Sequence, residues 1–440
     1  MMLPSRRSLL AGAAGAALTS ACASTVEPPT DAAARMNAIL DRRVAESLRR
    51  SPERCTSLGL TEERAGYRFI DKMSDASKQA ARESRAELRA ALADLRAVDR
   101  DALSARDRVT YDVVTTAWEN GLATSAFDIG GGSGSPYVVT QLTGAYTNGP
   151  DFLDAQHPLR TRDEADAYLA RLGEYARQLD QETAIIGEDA AASVIAPDFA
   201  IDRALVQLNA FTSRSPRDTV LVQTLVRRLP SVADLSEADR NSLIARAESA
   251  VRDAVMPAYQ RQIDALRAVR PRAVHDAGVW RLPRGADMYA AALRSRTTTT
   301  LSPDEIHNMG VALIAEFNAE MDTILRAEGM TRGTVAQRVQ ELSRRADQLY
   351  PNTDAGREQI LADLNAQTRA IEALMPQAFN TLARARLEIR RVPPYTEAGA
   401  PGGYYQRAAL DGSRPGAYYI NLRDTGEWPR FTLPTLNYHE

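Results

Sequence analysis

Apolar residues recur at three- and four-residue spacing along most of the chain, the period that lets one face of an α-helix turn inward. After Thr161, the positions Ala165, Tyr168, Leu169, Leu172, Ala176 and Leu179 follow this rule, and Thr161 with Glu164 three places on forms a capping box. Ser302-Pro303-Asp304-Glu305 repeats the logic with proline at the first helical position. Ile306, Met309, Leu313, Ile314 and Phe317 are then predicted to be the buried stripe of that helix. Comparable patterns run through about 35–50, 75–98, 105–125, 236–268, 331–346 and 356–387. Gly and Pro cluster at 128–136, 270–285 and 391–403 and break the helical pattern, and no fixed-period repeat signals a solenoid.

The period changes near the end. Leu387-Glu388-Ile389-Arg390-Arg391-Val392 alternates, Gly402-Gly403-Tyr404-Tyr405 follows, and after a turn at Asp411-Gly412-Ser413 the stretch from Arg414 to Leu422 is β-prone. Thr432 and Pro434 then suit the start of a helix that carries Leu433 and Leu436 inward and runs to His439-Glu440. The predicted class is mainly α: a large helical domain over 35–440, with a small β-sheet near the C-terminal end and the beginning of a helix within 387–440.

Residues 1–23 have the form of an export signal, with Arg6-Arg7 ahead of an apolar run from Leu9 to Leu18 that is too short to span a bilayer. Ser5-Arg6-Arg7-Ser8-Leu9-Leu10 resembles a twin-arginine signal. Two processing routes stay open. Thr19-Ser20-Ala21-Cys22 is similar to a lipobox, which would lipidate Cys22, and Ala21-Cys22-Ala23 is an A-x-A site with release before Ser24. Both place the mature protein in the periplasm or cell envelope. Residues 24–34, with Pro28-Pro29, are expected to be a polar linker. Cys22 and Cys55 are the two cysteines; with Cys22 lipidated or removed, no disulfide is expected to hold the fold.

Charge narrows the partners. Across 440 residues, 54 Lys and Arg face 57 Asp and Glu, a net charge of -3 without a polybasic block, which argues against a nucleic-acid partner. A hydrophobic content of 44% argues against intrinsic disorder. The lysines are Lys72 and Lys78, preceded by Asp71 and Ser77, so no Gly-Lys phosphate cradle exists. The glycine run Gly130 to Ser135 fits neither a dinucleotide nor a nucleophile-elbow pattern and is a loop. The acid pairs Asp163-Glu164 and Asp304-Glu305 complement helix dipoles.

Candidate chemistry is concentrated at the end of the sequence. His439-Glu440 is how an H-E-x-x-H helix begins, in which the first His binds metal and the Glu acts on a water. The dipeptide alone is weakly specific. Its context is stronger: Gly403-Tyr404-Tyr405, Asp411 to Gly416, Tyr418-Tyr419-Ile420-Asn421 and Asn437-Tyr438-His439-Glu440 resemble the bacterial domain-of-unknown-function family 885. Ser135-Pro136-Tyr137 through Phe152-Leu153, and Gly278 to Pro283 through His307, are similar to the same family. Its members look like exported helical gluzincin metallopeptidases.

The resemblance implies one zinc ion with His439 as first ligand, Glu440 as general base, and a peptide or peptide-like substrate. It implies that the strand around Tyr418 to Asn421 lines the cleft as an exposed edge, and that Tyr404, Tyr405, Tyr418 or Tyr419 donates to an oxyanion. The family's Pro-Gly-His-His stretch and later Glu-Gly-Trp segment are not in this sequence, so the chain is expected to be the front portion of a longer protein, inactive by itself. His157, His275 and His307 lie at no H-x-x-x-H spacing, and His307 with Asp304 suggests a surface pair. Two function classes follow: a zinc-dependent peptidase or amide hydrolase of the envelope, or a noncatalytic helical envelope protein that binds peptides or partners through its Tyr-rich edge.

Overall fold

Many of the helices begin at a side-chain cap, among them those after Ser77, Ser104, Thr161, Ser236 and Ser302. The computed structural model describes residues 31–394, 397 and 400–439. The signal with Arg6, Arg7 and Cys22, the linker up to residue 30, and Glu440 lie outside the described residues. In chain order the helices are α1 (Asp31–Arg49), α2 (Pro52–Ser57), α3 (Glu62–Ala65), α4 (Lys78–Arg96), α5 (Ala105–Thr124), α6 (Ala145–Asp151), α7 (Arg162–Ala191) and α8 (Asp198–Thr212). They continue as α9 (Val220–Arg228), α10 (Glu237–Ala250), α11 (Met256–Val269), α12 (Gly285–Thr297), α13 (Pro303–Ala327), α14 (Val335–Ser343) and α15 (Asp354–Ala378). Strands β1 (Leu387–Arg391), β2 (Gly403–Gln406) and β3 (Gly416–Ile420) precede α16 (Leu433–His439). At 65% helix, about twice the usual share, the protein is mainly α with a small C-terminal sheet.

Both capping boxes form: the Thr161 and Ser302 hydroxyls accept from the Glu164 and Glu305 amides, and the two carboxylates accept from the cap amides. Three features differ from expectation. α1 begins at Asp31, so the last part of the expected linker is its first turn, where Ala33 is buried. α15 stops at Ala378 rather than near 387; Pro376 removes an amide donor in its last turn, and the backbone is extended at Phe379. The third difference concerns α13, whose expected buried stripe is not buried. Met309, Leu313, Ile314 and Phe317 are 53, 44, 63 and 51% exposed. The helix is held through Leu325 and an ion pair between Asp322 and Arg338 of α14.

The core forms around α7, whose Tyr168, Leu172, Tyr175 and Leu179 are fully buried against Tyr259, Ile263 and Leu266 of α11 and Leu243 and Ala247 of α10. Arg171 lies on the same buried side of α7 and is itself wholly buried. Its Nε donates to Lys72 O at 3.0 Å, Nη1 to His157 Nδ1 at 2.8 Å, and Nη2 to Thr56 Oγ1 at 2.7 Å and Phe69 O at 3.1 Å. Its guanidinium also sits over the Phe152 ring, 4.9 Å from the centroid. One side chain thus joins α2, the loop after α3, the turn after α6 and the core helix. Burial without those partners would cost several kcal/mol, so the bonds are a condition of the packing.

His157 shows the consequence in its protonation. Arg171 can only donate, so Nδ1 accepts and Nε2–H donates to Glu164 O at 2.8 Å. Burial and then the Arg171 charge push the imidazole down to about 3. Between the ordinary His value and about 3, the unfolded chain takes up a proton that the folded one refuses. Stability from this site is therefore present above the ordinary value and lost as pH falls towards 3. We predict that the gap between urea midpoints at pH 7 and pH 4 shrinks in His157→Asn relative to wild type. An unchanged gap would show that the histidine is not held neutral.

Candidate functional site

The small sheet rests on α15. Its order is β1-β3-β2, with β3 parallel to β1 and antiparallel to β2. Both edges of β3 are therefore used and every residue of it is buried. The expectation of an exposed edge around Tyr418 to Asn421 is corrected: the free edges of this three-stranded sheet belong to β1 and β2, because the most apolar strand takes the centre. On one face Tyr418 and Ile420 pack with Ile360 and Leu364 of α15 and Leu433 of α16. On the other Ala417 and Tyr419 pack with Val392, and partly with Tyr404 and Ala400.

The four candidate tyrosines separate. Tyr418 is fully buried. Tyr419 stacks on Tyr404 with centroids 4.9 Å apart, and its hydroxyl accepts from Arg390 Nη1 at 3.4 Å. Tyr405 is 46% exposed and lies across Gly416, where a Cβ would come within 2.5 Å of its hydroxyl. Asn421, expected at the substrate, braces the loops. Its Nδ2 donates to Glu397 O at 2.8 Å and Ala400 O at 3.3 Å, its Oδ1 accepts from Arg423 N, and its carbonyl accepts from Trp428 Nε1 at 2.6 Å.

α16 is fixed to α15 by Asn437, to which the sequence alone gave no role beyond its place in the run that resembles the family. Asn437 is buried, and its Nδ2 donates to Leu364 O at 3.0 Å and Thr368 Oγ1 at 3.2 Å, while its Oδ1 accepts from Thr368 at 3.3 Å. The available signal was its place four residues after Leu433, on the face that turns inward. Below, Arg430 covers the Tyr350 ring at 3.8 Å, and both Tyr350 Oη and Arg430 Nη1 donate to Asp363 Oδ2, at 2.7 and 3.0 Å. Burial, then Asp363, pushes the Tyr350 phenol up. This platform carries His439, which is exposed, in the last turn of α16.

The structure does not bring the other histidines to His439. His157 belongs to the Arg171 network, His275 bonds Asp198 Oδ1 at 2.9 Å, and His307 is exposed on α13. Among the described residues no group of three His, Cys, Asp or Glu could hold a metal ion, and Glu440 lies outside them. The strongly raised carboxyl in the core, Glu182, is pushed up to about 7 by burial, but it accepts from the Ala145 amide and from Gln262 and thus serves as a structural cap of α6. Cys55 is a buried thiol. Among the described residues no helix is long and apolar enough to cross a membrane.

The family model described as "Bacterial protein of unknown function (DUF885)" matches residues 52–440, and the chain belongs to that family. No curated protein matches. Among solved structures, "the putative lipoprotein from Colwellia psychrerythraea" is similar with a TM-score of 0.88 and 28% identity, over 93% of this chain and 71% of that one. "A putative lipoprotein of unknown function from Shewanella oneidensis" has a TM-score of 0.57 and 14% identity, over 93% of this chain and 70% of that one, and shares the fold.

Asn437→Ala removes the Asn437 Nδ2 hydrogen bonds to the Leu364 carbonyl and the Thr368 hydroxyl, which keep their bond to each other, and should cost about 1–1.5 kcal/mol. It should also speed amide exchange in α16 well before global unfolding. A variant with the wild-type urea midpoint and α16 protection would mean that Leu433 alone holds the helix.

Proposed function

We propose that this DUF885 protein is a zinc-dependent peptidase or amide hydrolase of the cell envelope, acting on peptide or peptide-like substrates. The observation that carries the reading is the delivery of an exposed His439, with Glu440 next to it, by a helix anchored through Asn437 and Leu433. His439 is the first ligand, and Glu440 takes a proton from the attacking water. Zinc, when bound, supplies the positive charge that makes such a water acidic near neutral pH. Its other ligands would lie outside the described residues. Tyr405, on an outer strand and half exposed, is the tyrosine best placed to meet a substrate.

The Colwellia relative, with "putative lipoprotein" in its description, supports an envelope location and favours lipidation at Cys22 over release before Ser24. Export uses Arg6-Arg7. Cys22→Ala should then move the protein from the membrane fraction to the soluble periplasm, and fatty-acid labelling of the wild type should be lost with it. An unlabelled wild type would favour the A-x-A site.

Catalysis is tested on the gene product of the uninterrupted reading frame. It should bind zinc stoichiometrically and cleave a mixed peptide library in a chelator-sensitive way. His439→Ala should lose zinc, and Glu440→Gln should keep zinc while losing at least about 100-fold in kcat. The 440-residue chain should do neither. Stoichiometric zinc with chelator-sensitive cleavage in that chain, or a stop codon directly after Glu440, would overturn the assignment. Peptide binding without cleavage by the longer product would support the alternative, a noncatalytic envelope protein with a Tyr-rich binding edge.

A further inference from the structure

α6 is held on α7 at two points. At one, Gly149 lies so close to the Tyr175 ring that a Cβ would come within 2.3 Å of it. Two turns further along α7, the two oxygens of Glu182 accept from the Ala145 amide at 2.8 and 2.9 Å, beside Gly144, whose φ of +112° opens the helix. Steric contact fixes the first point, but a titratable group makes the second. Glu182 is 8% exposed, and among the described residues no Lys, Arg or His pairs with it. Its other neighbour is the fully buried Gln262 of α11. Gln262 Nε2 lies 3.4 Å from both Glu182 Oε2 and Leu179 O, while its Oε1 has no hydrogen-bond partner. An ionised carboxylate can only accept, so it leaves that amide oxygen orphaned and brings a bare charge into the core. A protonated one can donate to the amide oxygen once the Gln262 amide turns over. We propose that Glu182 and Gln262 form a proton-operated latch: the neutral carboxyl closes the start of α6 onto α7, and loss of its proton to solvent releases α6 and the Thr140–Thr143 turn before it. The inference concerns the helical body and stands whether or not the protein is a peptidase.

The groups around the carboxyl leave it alone to titrate. Tyr146 of α6, Tyr175 of α7 and Tyr259 of α11 face it, and burial pushes all three phenols up, so they stay neutral where a carboxyl titrates. Tyr175 and Tyr259 bond each other at 2.7 Å, and Tyr146 donates to Thr140 O at 2.7 Å. The charged residues before and after Glu182 on α7 are already paired, Asp180 with Arg261 and both Glu188 and Asp189 with Lys78. Asp151, at the far end of α6, faces Asp154. With no counter-charge, burial holds the Glu182 carboxyl up to about 7, whereas in an opened, hydrated α6 it returns to its ordinary value. Between those two values the closed form keeps a proton that the open form gives up. Closure is therefore most favoured below the ordinary value and is lost as pH rises through 7. α6 runs on through the turn that carries Phe152 and His157 into the Arg171 bonds, where the imidazole responds in the opposite sense.

Amide exchange followed against pH tests the latch. After correction for intrinsic rates, opening in peptides that cover Ala145 should rise about tenfold or more from pH 5 to pH 8 and level off above about 7. In Glu182→Gln, which keeps an acceptor for the Ala145 amide and cannot titrate, it should be flat, with His157 unchanged in both proteins. A second readout needs no variant. In wild type whose glutamates carry 13C carboxyls, the infrared carbonyl band of a protonated acid should be present at pH 6 and gone by pH 8, and Asp151 is silent in that label. Glutamates that are all ionised at pH 6 would overturn the proposal. So would corrected exchange at Ala145 that ignores pH, or a rise with pH of the same size in Glu182→Gln.

Discussion

Four hydrogen bonds from one buried guanidinium set the terms for the helical body. Arg171 cannot shed its charge at any ordinary pH, although burial pulls its pKa down to about 10, so the chain has to surround it with acceptors. Those acceptors are two carbonyls of the segment after α3, a threonine of α2 and a neutral imidazole. Each lies far from Arg171 along the chain except His157, so satisfying one side chain fixes the N-terminal helices against α7. The Glu164 carbonyl that fixes the His157 tautomer belongs to the same residue that closes the α7 capping box. A local capping signal and a long-range polar cluster thus share a residue.

The C-terminal region is organised differently, around apolar contacts. α15 supplies Ile360 and Leu364 as a floor, and the sheet and α16 are laid on it with Asn437 and Asp363 as polar ties. β3 is buried on both faces and both edges, so it is support and not a reading surface. Tyr405 and the end of α16 protrude from this support, and the proposed function is assigned to them.

Much of this was legible in the sequence because its signals are local. Capping boxes at Thr161 and Ser302, the alternation after Leu387 and the Thr432-Leu433-Pro434 start all gave the right element. The helices α8, α9 and α12 were missed; in α8 the buried positions include Ala200 and Ala204, which dilute the apolar stripe. Strand order was not legible, since adjacent stretches of Tyr and Gly give no register and β1 pairs with β3 in parallel across an intervening strand. The α13 stripe was read correctly as apolar but wrongly as buried, because periodicity says which face seeks a partner and not whether these residues provide one. Arg171 was invisible as a core residue for a related reason: an arginine scores as surface until its acceptors, distant in sequence, are brought to it.

The exposed imidazole at the end of α16 is proposed as a zinc ligand. Anomalous diffraction at the zinc edge, on crystals of the protein translated from its uninterrupted reading frame, is the decisive measurement. A single peak is expected about 2.0–2.1 Å from a ring nitrogen of His439, with the carboxylate of Glu440 near the ion but outside its ligand set. A zinc peak away from His439, or none in zinc-saturated crystals, would contradict it.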